Sequence, residues 1–380
     1  MTQDAMSGCD QRVLNWLPIF ESKAKAVTII TSEQGLGRFG EFSQVKVLKT
    51  TGYRLKSSLG LFISYLVRAI KGCSVSRRIK VDNKAKNIIY SASDLIPDFI
   101  PALSLKLRNK TSSLVVGLHL IAPLPWKGFK KYYLKGFSLP TFSGIYYFLS
   151  QSIILLIAKR YASLVLVSNH QDRETLIKQG FKSEKVLVTY GGINTNQIDE
   201  VESSEIAYDA CYVGRFHAQK GFEDLIDIWL KVNEKFPSAK LAVAGYDINL
   251  EKIKTLVREN GLENNILFKG FLGGGDKYKL IKSSKIALVP SYYESFGMVI
   301  LEALACGVCV IAYDLPVYRD IYTKGVKTVD IANKDAFAEA IIDLLKDSQQ
   351  RQSLSKQAKD LSRDFSWVRS AKDILAHLTT

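Results

Sequence analysis

The sequence predicts an α/β protein made of two doubly wound domains facing each other across a cleft, and three observations carry that expectation. Short apolar, β-branched runs alternate with longer amphipathic stretches along nearly the whole chain, the pattern of parallel sheets covered by helices. A length of 380 residues is large for one domain and natural for two. A polar, weakly patterned stretch at 191–208 interrupts the alternation and reads as a linker.

In order, the first half offers strands at 27–31, 87–90, 113–117, 164–168 and 186–190, with helices over 57–71, 142–159 and 172–179. The second half repeats the alternation, with strands at 208–214, 240–245, 265–269, 286–290 and 308–313. Helices fit between them at 221–235, 250–259, 276–283 and 298–305, and 334–377 is mostly helical. The expected organisation is a first domain at 1–190, the linker, a second domain at 209–362 and a final helical segment at 363–380. The start is unusual. In a doubly wound domain the first strand lies centrally and feeds a glycine-containing turn. Here only Met-Thr-Gln-Asp-Ala-Met precedes Ser7-Gly8-Cys9-Asp10, too polar for a buried parallel strand, and 11–21 already reads as the next helix. Either the start is placed too late or the first domain lacks its central strand.

Hydrophobic residues make up 47% and charged residues 23%, the balance of a soluble globular protein with filled cores. Charge is uneven: residues 1–165 carry 24 Lys and Arg against 8 Asp and Glu, while the remainder carries 28 against 29. A cationic half suits anionic membrane lipid, a pyrophosphate-linked acceptor or nucleic acid, and charge alone does not choose among them. The five cysteines, an odd and sparse set, point to a reducing compartment without disulfides. Cys306 and Cys309 spell C-x-x-C inside an apolar run with no second ligand pair, so packing is expected of them, not redox or metal chemistry. The polar residues 1–11 lack the apolar core of a secretory leader. The 23 residues between Lys135 and Lys159 carry no charge, but polar residues and Pro140 interrupt them, which favours a buried helix over a membrane span.

The strongest constellation runs from Ile286 to Asp314. A buried strand ends at Pro290, the loop Ser291-Tyr-Tyr-Glu-Ser-Phe follows, and Gly297 opens a helix. Unpaired N–H groups at a helix start form an anion site, and glycine lets a phosphate approach the backbone. Glu294 before the helix and Glu302 within it could grip hydroxyls on either side of that phosphate; two isolated glutamates would more often be a cap and a solvated face residue. A second site lies at Val213-Gly-Arg-Phe-His-Ala-Gln-Lys-Gly221, where Arg215 and Lys220 precede a helix and suit a pyrophosphate, the first as a bidentate fork and the second as a point charge.

The segment 290–312, with two glutamates separated by seven residues, Phe-Gly after the first and Ala-x-Ala-x-Gly after the second, resembles the donor-site signature of glycosyltransferase family 4. Cys309 stands where that family usually has proline. The resemblance implies a GT-B fold of two Rossmann-like domains and a retaining transfer from a nucleotide sugar, with no cofactor and no metal. It implies that Arg215 and Lys220 bind the donor pyrophosphate, that Glu294 holds the sugar hydroxyls and that Glu302 holds the ribose. Gly214, Ser295, Phe296, Gly297 and Met298 would complete the donor site. Gly270 and Phe271, in Lys269-Gly-Phe, resemble the segment whose backbone contacts the nucleobase. Tyr190-Gly-Gly-Ile-Asn194 resembles an interdomain element, and Phe365-Ser-Trp367 the motif before a last helix that crosses back to the first domain. A histidine after a first-domain strand faces the donor sugar in this family, and His119 fits that position; by spacing alone it would more often be structural. Gly8 lies in a stretch similar to the Gly-Gly-x-Glu turn near the donor phosphate and acceptor, with Ser7 replacing the first glycine.

The expected function is transfer of a sugar to a glycan or lipid-linked acceptor, probable settings being cell-envelope polysaccharide or glycolipid synthesis in the cytoplasm or on the inner face of the membrane. The cations and aromatics of 126–135, with the basic amphipathic stretch 59–71, Arg77 and Arg78, suit an anionic membrane surface, or else a solvated cationic face with some core aromatics. No nucleic-acid recognition module is present in the sequence, and nucleic acid is not expected as a partner. A GT-B epimerase or phosphorylase, or a degenerate non-catalytic subunit of a glycan assembly complex, are the rival readings.

Overall fold

The computed structural model describes residues 8–39, 45–52, 58–82, 84–202, 205–246 and 250–379. Ser7 and the first residue of the helix expected at 57 lie outside them. The chain divides into two compact units: Met1–Trp126, Leu139–Gly192 and Trp367–Thr380 in the first, Lys127–Ser138 and Ile193–Ser366 in the second.

The first unit runs α1 (Gly8–Glu21), β1 (Val27–Thr31), β2 (Val45–Lys49), α2 (Ser58–Ser76), β3 (Ile88–Ser91), α3 (Ile96–Arg108), β4 (Ser113–Gly117), α4 (Phe142–Tyr161), β5 (Leu164–Val167), α5 (His170–Lys178) and β6 (Val186–Val188). Strands β3 to β6 form a parallel sheet in chain order, and β1 pairs with β2 in a separate parallel sheet. Among the described residues β1 pairs with β2 only, and no strand joins that pair to β3. Strand β5 is buried at every position and β4 at all but its first, as continuous apolar runs in a parallel sheet should be. Phe99 of α3 and Ile154, Leu155 and Ala158 of α4 pack on Leu114, Val116, Val165 and Val167.

Helix α4 is the crossover from β4 to β5 and lies along the sheet. Its buried Gln151 donates to Asp94 Oδ2 (2.7 Å) and Leu120 O (2.8 Å) and accepts from Ala122 N (2.7 Å). The expectation of a buried helix holds for that face only. The opposite face is exposed, because nothing in the first unit covers it among the described residues. Helix α3 has no counterpart among the expected elements. Pro97 sits at its start, where a missing N–H costs nothing, and Pro101 packs on α2 at Gly72, where a Cβ would lie 2.5 Å from the ring.

The second unit runs α6 (Thr195–Asp199), β7 (Tyr208–Val213), α7 (Phe222–Lys235), β8 (Leu241–Ala244), α8 (Leu250–Glu259), β9 (Ile266–Gly270), α9 (Gly274–Lys282), β10 (Ser284–Val289), α10 (Met298–Ala305), β11 (Cys309–Tyr313), α11 (Pro316–Ile321), β12 (Val326–Val329), α12 (Lys334–Lys346) and α13 (Ser348–Ser362). Its sheet has the order β12-β11-β10-β7-β8-β9, all parallel. The order reverses between β7 and β10, and the crevice outside the carboxyl ends of two such strands is where doubly wound sheets bind ligands. The C-x-x-C cysteines are free, and burial pushes their thiols up, Cys306 to about 12 and Cys309 to about 11.

Two boundaries differ from the expected ones. Residues 193–208 belong with the second unit: Ile198 is fully buried, and the carbonyls of Ile198 and Val201 accept from Lys282 Nζ at 2.6 and 2.5 Å. Lys127–Ser138 also belongs there, although it lies in sequence within the first half. The last helix, α14 (Trp367–Thr379), packs on α1, where the buried Trp16 donates to Ser370 Oγ at 2.8 Å and meets the Trp367 ring edge-on. Trp16→Ala should therefore cost the first unit about 3–5 kcal/mol, read as a lower urea midpoint by tryptophan fluorescence; an unchanged midpoint would show that α1 and α14 are held by other contacts.

Candidate active site

Two loops at the switch point, Gly214–Gly221 after β7 and Pro290–Gly297 after β10, form one construction. Gly221 has φ +65°, and a Cβ there would lie 1.9 Å from the carbonyl oxygen of Pro290, so only glycine allows the two loops to touch. Tyr292 N donates to Gln219 O (2.8 Å) and Gln219 Nε2 donates to Tyr293 O (2.8 Å), fastening one loop to the other. Beneath them, buried Asp224 accepts from the hydroxyls of Tyr292 (2.5 Å) and Tyr313 (2.7 Å). Both phenols are held well above their ordinary range, first by burial and then by that carboxylate.

This scaffold brings Lys220 and Glu294 into an ion pair, with Ser291 Oγ donating to the same carboxylate oxygen at 3.0 Å. Glu302 is 4% exposed and paired at 2.7 Å with Lys277 of α9, so it is no solvated face residue. Lys277 was not legible in the sequence: it sits in Gly-Gly-Gly-Asp-Lys-Tyr-Lys with no motif to mark it, and its role comes from α9 packing beside α10. Between the two pairs, Gly297 (φ +85°) opens α10 and directs the Met298 end of the helix toward the crevice side of the sheet. Buried Phe296 anchors the turn against Tyr322 and Phe365, and Ser295 is likewise buried. Gly214 lies under the ring of Tyr212, whose hydroxyl donates to Arg215 O at 2.8 Å. The Arg215 side chain is exposed and has no ion-pair partner among the described residues. Gly270 ends β9 with φ +72°, tied to β8 through Gly245 N, and Phe271 beyond it is exposed.

Phe129, Tyr132 and Tyr133 pack on this unit as core aromatics, the alternative to a lipid-facing segment, while Phe137 is exposed. Tyr132 lies 4.4 Å from Tyr293 by ring centroids, Phe129 5.6 Å and Tyr133 6.0 Å, and Lys130 sits 5.2 Å over Tyr292 and 3.9 Å from Asp224. The segment is a strap over the residue next to Glu294.

In the first unit, His119 follows β4 and donates from Nε2 to Ala92 O at 2.7 Å, which leaves Nδ1 as the acceptor of the ring. Burial first, then the Arg12 guanidinium, pushes its pKa down to about 3. Arg12 is itself buried, donating to Ser168 Oγ (2.8 Å) and Thr189 Oγ1 (3.2 Å) at the carboxyl ends of β5 and β6. Gly8 starts α1 with open space around its Cα, near Asp10, which pairs with Arg38 at 3.0 Å. Among the described residues no cluster of His, Cys, Asp and Glu could hold a metal ion.

Residues 194–361 match the family profile of Glycosyl transferases group 1. An uncharacterized glycosyltransferase of Methanocaldococcus jannaschii is 31% identical over 206 residues, half of this chain and 53% of that protein. A Campylobacter jejuni N-acetylgalactosamine-N,N'-diacetylbacillosaminyl-diphospho-undecaprenol 4-alpha-N-acetylgalactosaminyltransferase is 24% identical over 224 residues, 57% of this chain and 60% of the relative. The matches thus span little more than half the length of these relatives. A solved structure of Anabaena HepE with UDP-glucose superposes with a TM-score of 0.73 over 99% of this chain and 97% of the other, at 16% identity. The class follows: a GT-B α/β chain of two Rossmann-like units. More particularly, the part of it that matches the glycosyl transferases group 1 profile lies within the second unit.

Two outcomes are expected here. Gly221→Ala should cost about 2 kcal/mol or more and separate the two loops, seen as a lower melting temperature. His119 should stay neutral through physiological pH. Its folded pKa, about 3, lies below the ordinary 6.5, so the unfolded chain takes the proton first and stability present above 6.5 is lost as pH falls toward 3. Asp94 and Asp172, raised to about 6 by burial, act with the opposite sign, since their contribution is present below 3.8 and lost as pH rises through 6. His119→Gln should flatten the acid limb of a urea-midpoint profile below pH 6.5, and a ring-proton titration with a midpoint near 6.5 would refute the assignment.

Proposed function

We propose that this protein is a retaining glycosyltransferase of the hexosyl type, moving a sugar from a nucleotide-sugar donor to a glycan or lipid-linked acceptor in cell-envelope polysaccharide or glycolipid synthesis. The supporting observation is the pairing of Lys220 with Glu294 and of Lys277 with Glu302 on either side of the Gly297 helix start. Each carboxylate has a cation beside it, and the backbone N–H groups between them suit a diphosphate.

On this reading the donor diphosphate lies at the start of α10 and draws Lys220 away from Glu294, which then accepts from hydroxyls of the sugar. Exposed Arg215 closes on the same diphosphate. Glu302, held by Lys277, accepts from the ribose hydroxyls, and Gly270 with Phe271 flanks the base. Arg215, Lys220 and the helix N–H groups gain most as negative charge develops on the leaving nucleotide, which is how fixed cations accelerate such a step without a metal. His119, neutral, offers a hydrogen bond to a sugar hydroxyl and is not the base. The turn at Gly8 and the cationic first unit are assigned to the acceptor. The protein works in the cytoplasm, peripheral on the inner face of the membrane, with no nucleic-acid partner.

Replacing Glu294, Arg215 or Lys220 by alanine should lower transfer from a UDP-linked hexose by about 100-fold or more while the melting temperature stays near that of the parent. Near-normal turnover in all three would sink the reading. Free sugar epimerised at carbon 2, or phosphorolysis of a glycan, would indicate the related GT-B activities, and nucleotide binding without turnover a non-catalytic subunit.

A further inference from the structure

Helix α4 presents to solvent the apolar stripe Phe142, Ile145, Leu149, Ile153 and Leu156, with Ile153 60% and Leu156 72% exposed. Spacings of three and four residues place these side chains on one face of the helix. Among the described residues it is the one helix long and apolar enough to cross a membrane. It does not cross one in this fold, since its other face is core and Gln151 fastens it to the loops after β3 and β4. Helix α2 packs beside it through Phe62 and Tyr65 against Tyr146, and carries its own exposed stripe of Ile63, Leu66 and Ile70. An apolar face this long on a surface helix marks a contact site.

Charge identifies the occupant. In the first unit, residues 42–81 hold nine Lys and Arg, and 99–126 with 139–171 hold five more, with no Asp or Glu in any of these stretches. Two copies of such a surface repel one another, and a cationic soluble partner would be repelled as well. Exposed Lys71 follows the α2 stripe, and exposed Lys159 and Arg160 lie in the last turn of α4, where long stems can reach headgroups while the apolar side chains sit among acyl chains. We infer that the outer faces of α4 and α2 seat the first unit flat on an anionic bilayer, with α4 lying in the plane of the interface. This deepens the peripheral location proposed above and moves the contact from the 126–135 segment, whose aromatics are engaged elsewhere, to these two helices.

The test uses the full chain and needs no glycosyl transfer. Leu156→Trp places a fluorophore on the stripe. Vesicles of phosphatidylcholine with phosphatidylglycerol should shift its emission to the blue and sediment the protein, phosphatidylcholine alone should do neither, and salt should weaken the binding. Leu149→Ser combined with Ile153→Ser, both at exposed positions, should lower sedimentation by about an order of magnitude while nucleotide binding and melting temperature are retained. Lys159→Gln with Arg160→Gln should lower it less and reduce its salt dependence. No blue shift at any anionic lipid content overturns the inference. So does a dimer in light scattering that the serine variant abolishes without any lipid binding, which would assign the stripe to a second copy. Either failure leaves nucleotide binding, and with it the proposed activity, standing.

Discussion

The contact between Gly221 and the Pro290 carbonyl is the constraint on which the geometry of the candidate site depends. Strands β7 and β10 are hydrogen-bonded neighbours, yet their chains leave toward different crossovers. Their loops can meet only if one of them presents no side chain at the crossing point, and Gly221 meets that need, since a Cβ there would fall 1.9 Å from the Pro290 oxygen. From that contact follow the Gln219 hydrogen bonds, the placing of Tyr293 and the meeting of Lys220 with Glu294 across 74 positions of sequence. Asp224 then fixes the height of the loop by holding Tyr292 against Tyr313. Rigid support of this kind matters for a site whose chemistry is electrostatic, because fixed charges need no reorganisation when the reacting charge moves.

Elements whose burial is local were legible in the sequence. Helices α8 and α10 and strands β1 and β4 lie within the spans their patterns indicate, since an apolar run or a clean helical period records which faces are covered. Strands β2 and β12 escaped because they are short and lysines interrupt their apolar runs, Lys46 and Lys49 in one and Lys327 in the other. Helix α3 escaped because Pro97 and Pro101 read as breakers, although the first opens the helix and the second fills the space above Gly72. Of the site, Glu294, Glu302, Arg215 and Lys220 were visible as a motif. Lys277 and the strap residues Phe129, Tyr132 and Tyr133 were not, because only the tertiary fold makes them neighbours of these carboxylates and of Tyr293.

Burial divides the ionisable groups of the two units differently. In the second unit the buried carboxylates Glu302 and Asp224 are met by a lysine or by phenols. In the first unit, Arg12 lies among hydroxyls and His119 beside a carbonyl, so desolvation is not offset by an opposite charge and both are pushed toward their neutral forms. The loops at the carboxyl ends of β4 to β6 thus set a neutral imidazole near a buried guanidinium held by hydroxyls.

The strap also governs how the chain is divisible. The polypeptide passes between its two units at four places, after residues 126, 138, 192 and 366, and not at one hinge. The second unit is consequently not a single cassette of sequence: a fragment beginning at Ile193 would leave behind the rings that cover Tyr293 and the lysine beside Asp224. Exchange of the second unit between related proteins at one junction would unite the strap of one parent with the loop of the other. Recombination, natural or engineered, therefore has to carry a dozen residues from the first half along with the second.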